Sequence, residues 1–192
     1  MVNLMNKKYL VKAMNAADNQ DFNKAINYCD MSIEQNPHKD AAFLVKASIL
    51  SKIQNTDGVL ECLNQGVLLN PDSQALWINK AIYESKLGLL DESIASCDKV
   101  LEINNDPHIY CLKAQSLVYL DRFDEAWDII DFVSNKFLNF EDIYHLKALT
   151  LYLQDKDLDV ALENINKFLE RNSNVENAFR LKEFILEKLE GD

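Results

Sequence analysis

Apolar residues return every three to four positions through most of the chain, the signature of amphipathic helices. Laid over that short period is a longer one of about 34 residues. The doublet Lys-Ala occurs at Lys12-Ala13, Lys46-Ala47, Lys80-Ala81, Lys113-Ala114 and Lys147-Ala148, in steps of 34, 34, 33 and 34 residues. Three residues before each doublet stands an aromatic: Tyr9, Phe43, Trp77, Tyr110 and Tyr144. The alanine lies one helical turn beyond that aromatic on the same face. One face of a first helix therefore always carries a large flat side chain followed by a small one, and the small one lets a second helix approach closely.

The second helix has its own pattern. It opens on an anchor and carries a small residue three further on: Phe22 with Ala25, Leu90 with Ser93, Phe123 with Ala126, and Leu158 with Ala161, with Thr56 and Val59 as the poorest pair. Four residues beyond come Cys29, Leu63, Cys97, Ile130 and Ile165. Asn36-Pro37, Asn70-Pro71 and Asp106-Pro107 close the first three second helices, since proline disfavours helix before it and can begin the next. The fourth and fifth close without proline, on 139–142 and 172–174. The fifth inner turn, Gln154-Asp155-Lys156-Asp157, is one residue longer than the others.

These positions, with Trp77, Ala81, Gly88, Ser93 and Cys97 in the third unit and Phe22, Ala25 and Pro37 in the first, resemble the tetratricopeptide repeat family over roughly residues 6–174. The chain departs from the family pattern in having Ala for its small glycine throughout and Lys for the leucine just before it. The resemblance implies an all-α fold: a right-handed α-solenoid of five TPR-like helix-turn-helix repeats with a C-terminal capping helix. The expected organisation is a single array over 1–192, with repeats at 6–39, 40–73, 74–106, 107–140 and 141–175 and the capping helix at 176–189. In that last helix Phe179 and Lys182 echo the aromatic and the lysine. Glu183, however, stands where Ala would be, so no sixth second helix is expected to pack there.

A single helix pair cannot bury its apolar face alone, and stacked pairs leave the first helices lining a concave wall. Counting from each aromatic, the positions expected to face that wall include Leu10, Met14, Leu44, Ile78, Asn79, Ile82, Leu112, Gln115, Tyr119, His145, Leu149 and Tyr152, with Val118 and Leu146 on the same count. So apolar a wall calls for a cover. The expected function is a non-catalytic scaffold or adaptor that takes a protein or peptide partner there, an amphipathic helix being one form. A homo-oligomer that uses the groove or the terminal helix for self-association is the alternative. The set of Lys, Asn and Arg with which some family members grip the carboxylate of heat-shock chaperones is missing: of its positions only Asn79 is filled as required, which argues against that partner.

Composition narrows the field further. Charged residues make up 27% and hydrophobic ones 48%, the balance of a folded soluble protein, and only 4 Gly and 3 Pro argue against a strand-rich fold. A net charge of −11 argues against nucleic acid and anionic membrane as partners. The cysteines, Cys29, Cys62, Cys97 and Cys111, form no CxxC pair and read as buried, reduced thiols in a cytoplasmic setting. There is no apolar run fit for a signal peptide or a membrane span. The recurrent lysine reads as a half-buried helix edge, its stem packed and its amine in water.

Catalytic signatures are sparse. There is no phosphate-binding glycine loop and no nucleophile elbow, and the carboxylates are scattered over solvated faces. His108 with Cys111 and Asp142 with His145 share a spacing of three in adjacent units, a weak metal-ligand pattern that also suits helix starts. The reading is no catalytic residue, no cofactor and no resident metal.

Overall fold

The computed structural model describes the backbone of residues 2–191 and the side chains of residues 8–191. Every regular element among them is a helix: α1 (Val2–Asp18), α2 (Phe22–Gln35), α3 (Asp40–Lys52), α4 (Thr56–Leu69), α5 (Gln74–Lys86), α6 (Leu90–Leu101), α7 (Pro107–Tyr119), α8 (Phe123–Lys136), α9 (Asp142–Gln154), α10 (Leu158–Leu169) and α11 (Glu176–Gly191). They fall into two compact units, Met1–Ile103 with α1 to α6 and Asn104–Asp192 with α7 to α11. Within each unit, consecutive odd and even helices pack as hairpins, and α11 packs on α10 and α9.

The anchors read from the sequence are the first residues of their helices: Phe22, Thr56, Leu90, Phe123 and Leu158 open α2, α4, α6, α8 and α10. The recurrent alanines are all buried. So are the small residues facing them, Ala25, Val59, Ser93, Ala126 and Ala161, and the apolar residues one turn on, Cys29, Leu63, Cys97, Ile130 and Ile165. The approach is close enough for the second helix to bond the backbone of the first. The Ser93 hydroxyl donates to the carbonyl of Ala81 at 2.9 Å, and the Cys62 thiol donates to that of Phe43 at 3.4 Å.

Each hairpin turns in the same way. The residue eleven after the aromatic, Gln20, Gln54, Gly88, Asp121 or Asp155, has a left-handed backbone, with φ of 60°, 58°, 74°, 57° and 54°. Its N–H donates to the carbonyl three residues back, and the next N–H to the carbonyl five back, as in Gly88 to Ser85 at 3.1 Å and Leu89 to Glu84 at 3.0 Å. This double bond pattern caps the exposed carbonyls of the first helix. Asp21 and Asn55 then cap the second helix, accepting from the N–H of Lys24 and Gly58 at 3.3 and 3.0 Å. In the longer fifth turn a further residue, Asp157, is also left-handed.

Successive hairpins within a unit are tied through their turns. In the first unit Asn70 donates to the carbonyl of Pro37 at 3.0 Å and Ser73 to the carboxylate of Asp40 at 2.6 Å. In the second, His108 at the start of α7 meets Asp142 at the start of α9 at 3.3 Å, and Lys188 of α11 pairs with Asp155 in the α9–α10 turn at 2.6 Å. The three prolines do not behave alike. Pro37 and Pro71 sit in the turns, whereas α6 stops early at Leu101 and Pro107 is the first residue of α7, behind the capping carboxylate of Asp106. Helix α11 buries Ala178, Leu181 and Ile185, and Glu183 is exposed. Among the described residues no helix is long and apolar enough to cross a membrane.

Candidate functional site

In the first unit the neighbouring first helices α3 and α5 enclose a shallow cavity of about 270 Å³. Of the expected wall residues, Leu44, Asn79 and Ile82 line it, together with Ser48, Ser51, Lys52, Tyr83 and Lys86. Ile82 is 38% exposed, and Asn79 spends one amide hydrogen on the carbonyl of Ala75 at 2.8 Å. Leu10, Leu44 and Trp77 pack half-buried against the unit's core. Met14 is open to solvent, and Ile78 is half-buried outside the cavity.

In the second unit Gln115, Tyr119, His145, Leu149 and Tyr152 line a cavity of about 300 Å³. Its far wall is α11, through Asn177, Arg180, Leu181 and Phe184, residues that a count from the five repeat aromatics does not reach. The Tyr152 and Phe184 rings stack at 6.3 Å between centroids, and the Lys188 amine sits 4.9 Å over the Tyr152 ring. A second cavity of about 240 Å³ shares Gln115 and His145 and adds Cys111, Asp142 and Phe168. Leu112 is half-buried. Leu146, only 4% exposed, also lines this second cavity, whereas Val118, expected on the wall, is fully buried in the core.

Cys111, Asp142 and His145 line one cavity, with His108 beside Asp142, but they do not form a metal-binding set. His108 pairs with Asp142 at 3.3 Å and meets Phe140 edge-on, while the His145 ring lies 5.2 Å from that of Phe168. Burial holds the His145 pKa below the usual imidazole value, with Asp142 pulling weakly the other way. Among the described residues no three His, Cys, Asp or Glu side chains form a group that could hold a metal ion. Burial also pushes the thiols of Cys29, Cys62 and Cys111 up to about 12, 11 and 12, so they are poor nucleophiles. None of the four cysteines is in a disulfide.

The lysine column is not the uniform solvated edge its recurrence suggests. Lys12 lies over the rings of Tyr9 and Tyr28, and Lys46 bridges to Asp30 at 2.7 Å. Lys80 pairs with the buried carboxylate of Glu84, whose other oxygen accepts from Ser96 at 2.6 Å. Each of these three amines has a partner on its own hairpin or the neighbouring one.

Comparison with known proteins shows what this geometry is similar to. The tetratricopeptide repeat model matches residues 75–107, which span α5, α6 and the following turn. A TPR repeat-containing protein of Methanocaldococcus jannaschii, MJ1428, is 23% identical over 88% of the chain, which covers 34% of that relative, about a third of its length. Among solved structures, a tetratricopeptide repeat protein from Parabacteroides merdae superposes with a TM-score of 0.79 at 10% identity, covering 94% of this chain and 72% of that one. PilW, described as a widely conserved type IV pilus biogenesis factor, gives 0.77 at 20% identity, with 96% and 86% covered. YrrB, described as a TPR protein with an unusual peptide-binding site, gives 0.69 at 15%, with 91% and 90% covered. The chain thus carries one stretch, 75–107, that matches the tetratricopeptide repeat model, and its helical hairpins share the fold of solved tetratricopeptide repeat proteins.

Proposed function

We propose that the protein is a non-catalytic interaction scaffold that holds a peptide or helical segment of a partner against the faces of its first helices. The observation carrying this is the convergence of neighbouring first helices on open, partly apolar cavities: Leu44 and Ile82 in one unit, Tyr119, Tyr152 and Phe184 in the other. Such faces expose apolar anchors beside amide and hydroxyl groups, the mixture that seats a peptide by side-chain burial and fixes it by hydrogen bonds. The description of YrrB as a peptide-binding repeat protein supports the reading by analogy. The residues proposed to meet the partner are those expected from the sequence, with Phe184 and Arg180 added. The organisation of 1–192 as a single five-repeat array with a cap belongs to the same proposal, as does a reducing, cytoplasmic setting suited to four cysteines without a disulfide.

The test is Ile82→Asp. A carboxylate in the cavity lining is expected to weaken capture of a partner at least about tenfold, by desolvation, while circular dichroism stays unchanged. Undiminished capture by this variant would remove the face from consideration. A second reading, self-association through the terminal helix, draws on Phe179 and Phe184, exposed by 43% and 49% on α11. Light scattering across a concentration series separates the two: growth of mass with concentration, abolished by Phe179→Asp, favours the oligomer.

A further inference from the structure

We propose that the α3/α5 cavity of the first unit selects an acidic segment of its partner, a short helix or strand with apolar anchors flanked by Asp and Glu. This rests on the reading of that face as a peptide site and names the chemistry it accepts. The chain as a whole carries 31 acidic against 20 basic residues, yet the lining of this cavity contains two lysines and no carboxylate. Lys52 and Lys86 occupy the same place, nine residues after Phe43 and Trp77, at the ends of adjacent helices. Both are exposed, and among the described residues neither has a carboxylate within ion-pair reach, in contrast to Lys46 and Lys80. A lysine in the last turn can be explained by the helix dipole alone, but α1, α7 and α9 end without any basic residue in that turn. The equivalent residue in α1 is Asp18, so the basic strip is confined to this cavity.

The rest of the lining complements the charge. Ser48 and Ser51 bring hydroxyl donors between the lysines, and Asn79 keeps an amide hydrogen free of its helix bond. Leu44 and the more exposed Ile82 supply apolar lining above a floor of the buried Ala47, Val59 and Leu63. A carboxylate at the rim would be held by charge-assisted bonds while an apolar neighbour covers the floor. A bare polyanion fits poorly: the floor would be left uncovered, and the surrounding negative charge would repel phosphates that the two lysines cannot reach.

The experiment uses the full chain and two fluorescent helical peptides with leucine at every third or fourth position. One carries Glu at the remaining positions and the other Lys, and binding is read by anisotropy. The Glu peptide is expected to bind, the Lys peptide at least about tenfold more weakly, and the affinity for the Glu peptide to fall as salt rises. Lys52→Glu with Lys86→Glu should cost the Glu peptide about tenfold or more, and the neutral pair Lys52→Gln, Lys86→Gln an intermediate amount. Equal binding of the two peptides, insensitive to the lysines but lost in Ile82→Asp, would overturn the acidic selection and leave the peptide site standing. Binding of neither peptide would overturn both. A single-stranded oligonucleotide that binds as tightly as the Glu peptide and competes with it would show a general anion surface and overturn the proposal. So would a stable oligomer that the double charge reversal dissolves, because the occupant would then be another copy of the chain.

Discussion

Glu84 shows how much a single position can depart from its repeat. The places corresponding to it in the other hairpins hold Ala16, Leu50, Leu117 and Leu151, all buried, and Glu84 is itself only 3% exposed. Its carboxylate survives there because Lys80 and Ser96 satisfy both oxygens. Removing it strands the lysine and opens a cavity, so Glu84→Ala should cost about 3 kcal/mol in chemical denaturation. Glu84→Leu, which installs the side chain of the neighbouring hairpins and lets Lys80 swing to water, should recover most of that loss. At His145 the effect depends on pH. Its folded pKa lies below its unfolded one, so the unfolded chain takes up the proton first and stability falls as pH drops below about 6.5. A urea series at about pH 7 and pH 5.5 should show His145→Phe losing less on acidification than the parent chain.

At the level of the helix pair, the turn is the part that must be most alike and is least alike in sequence. All five inner turns place the same residue in the left-handed region, yet only Gly88 is a glycine. A Cβ on Gly88 would meet nothing within 4 Å, so Gly88→Ala isolates the backbone cost, expected at about 1 kcal/mol. The reverse change, Gln54→Gly, should raise stability by a few tenths to about 1 kcal/mol, less than the strain it relieves because the unfolded chain also gains freedom. Thermal melts of the two variants measure both. The sequence made the helices legible because the small residues at Ala81 and Ser93 and the anchors at Leu90 and Phe123 obey helical spacing. It did not disclose the left-handed turns, since Gln20, Gln54, Asp121 and Asp155 carry no composition signal for them. Nor did counting faces from each aromatic disclose that Val118 would be buried, because a helix flanked on two sides has a wider covered arc than one flanked on one. The part that α11 takes in the second cavity was hidden for a related reason: Glu183 marks where no further helix packs, and says nothing of the flanking positions on the same helix, Arg180 and Phe184, which line the cavity.

For the molecule as a whole, charge is the property that bears on every helix at once. A net charge of −11 makes the folded state repel itself, and at low ionic strength this should depress the melting temperature. Raising salt to about 0.15 M shortens the Debye length to about 8 Å and should raise the melting temperature. The same addition should weaken the acidic-peptide contact at Lys52 and Lys86, so stability and binding are expected to move in opposite directions along one titration.

The five identical joints have one more consequence. Since each hairpin is closed by the same two backbone bonds whatever side chain stands at the bend, the fold asks very little of the genetic text there. Segments cut at those bends carry their own fastening with them. Duplication, loss or exchange of a hairpin would then alter which side chains the protein shows to others while leaving the rules of its construction intact.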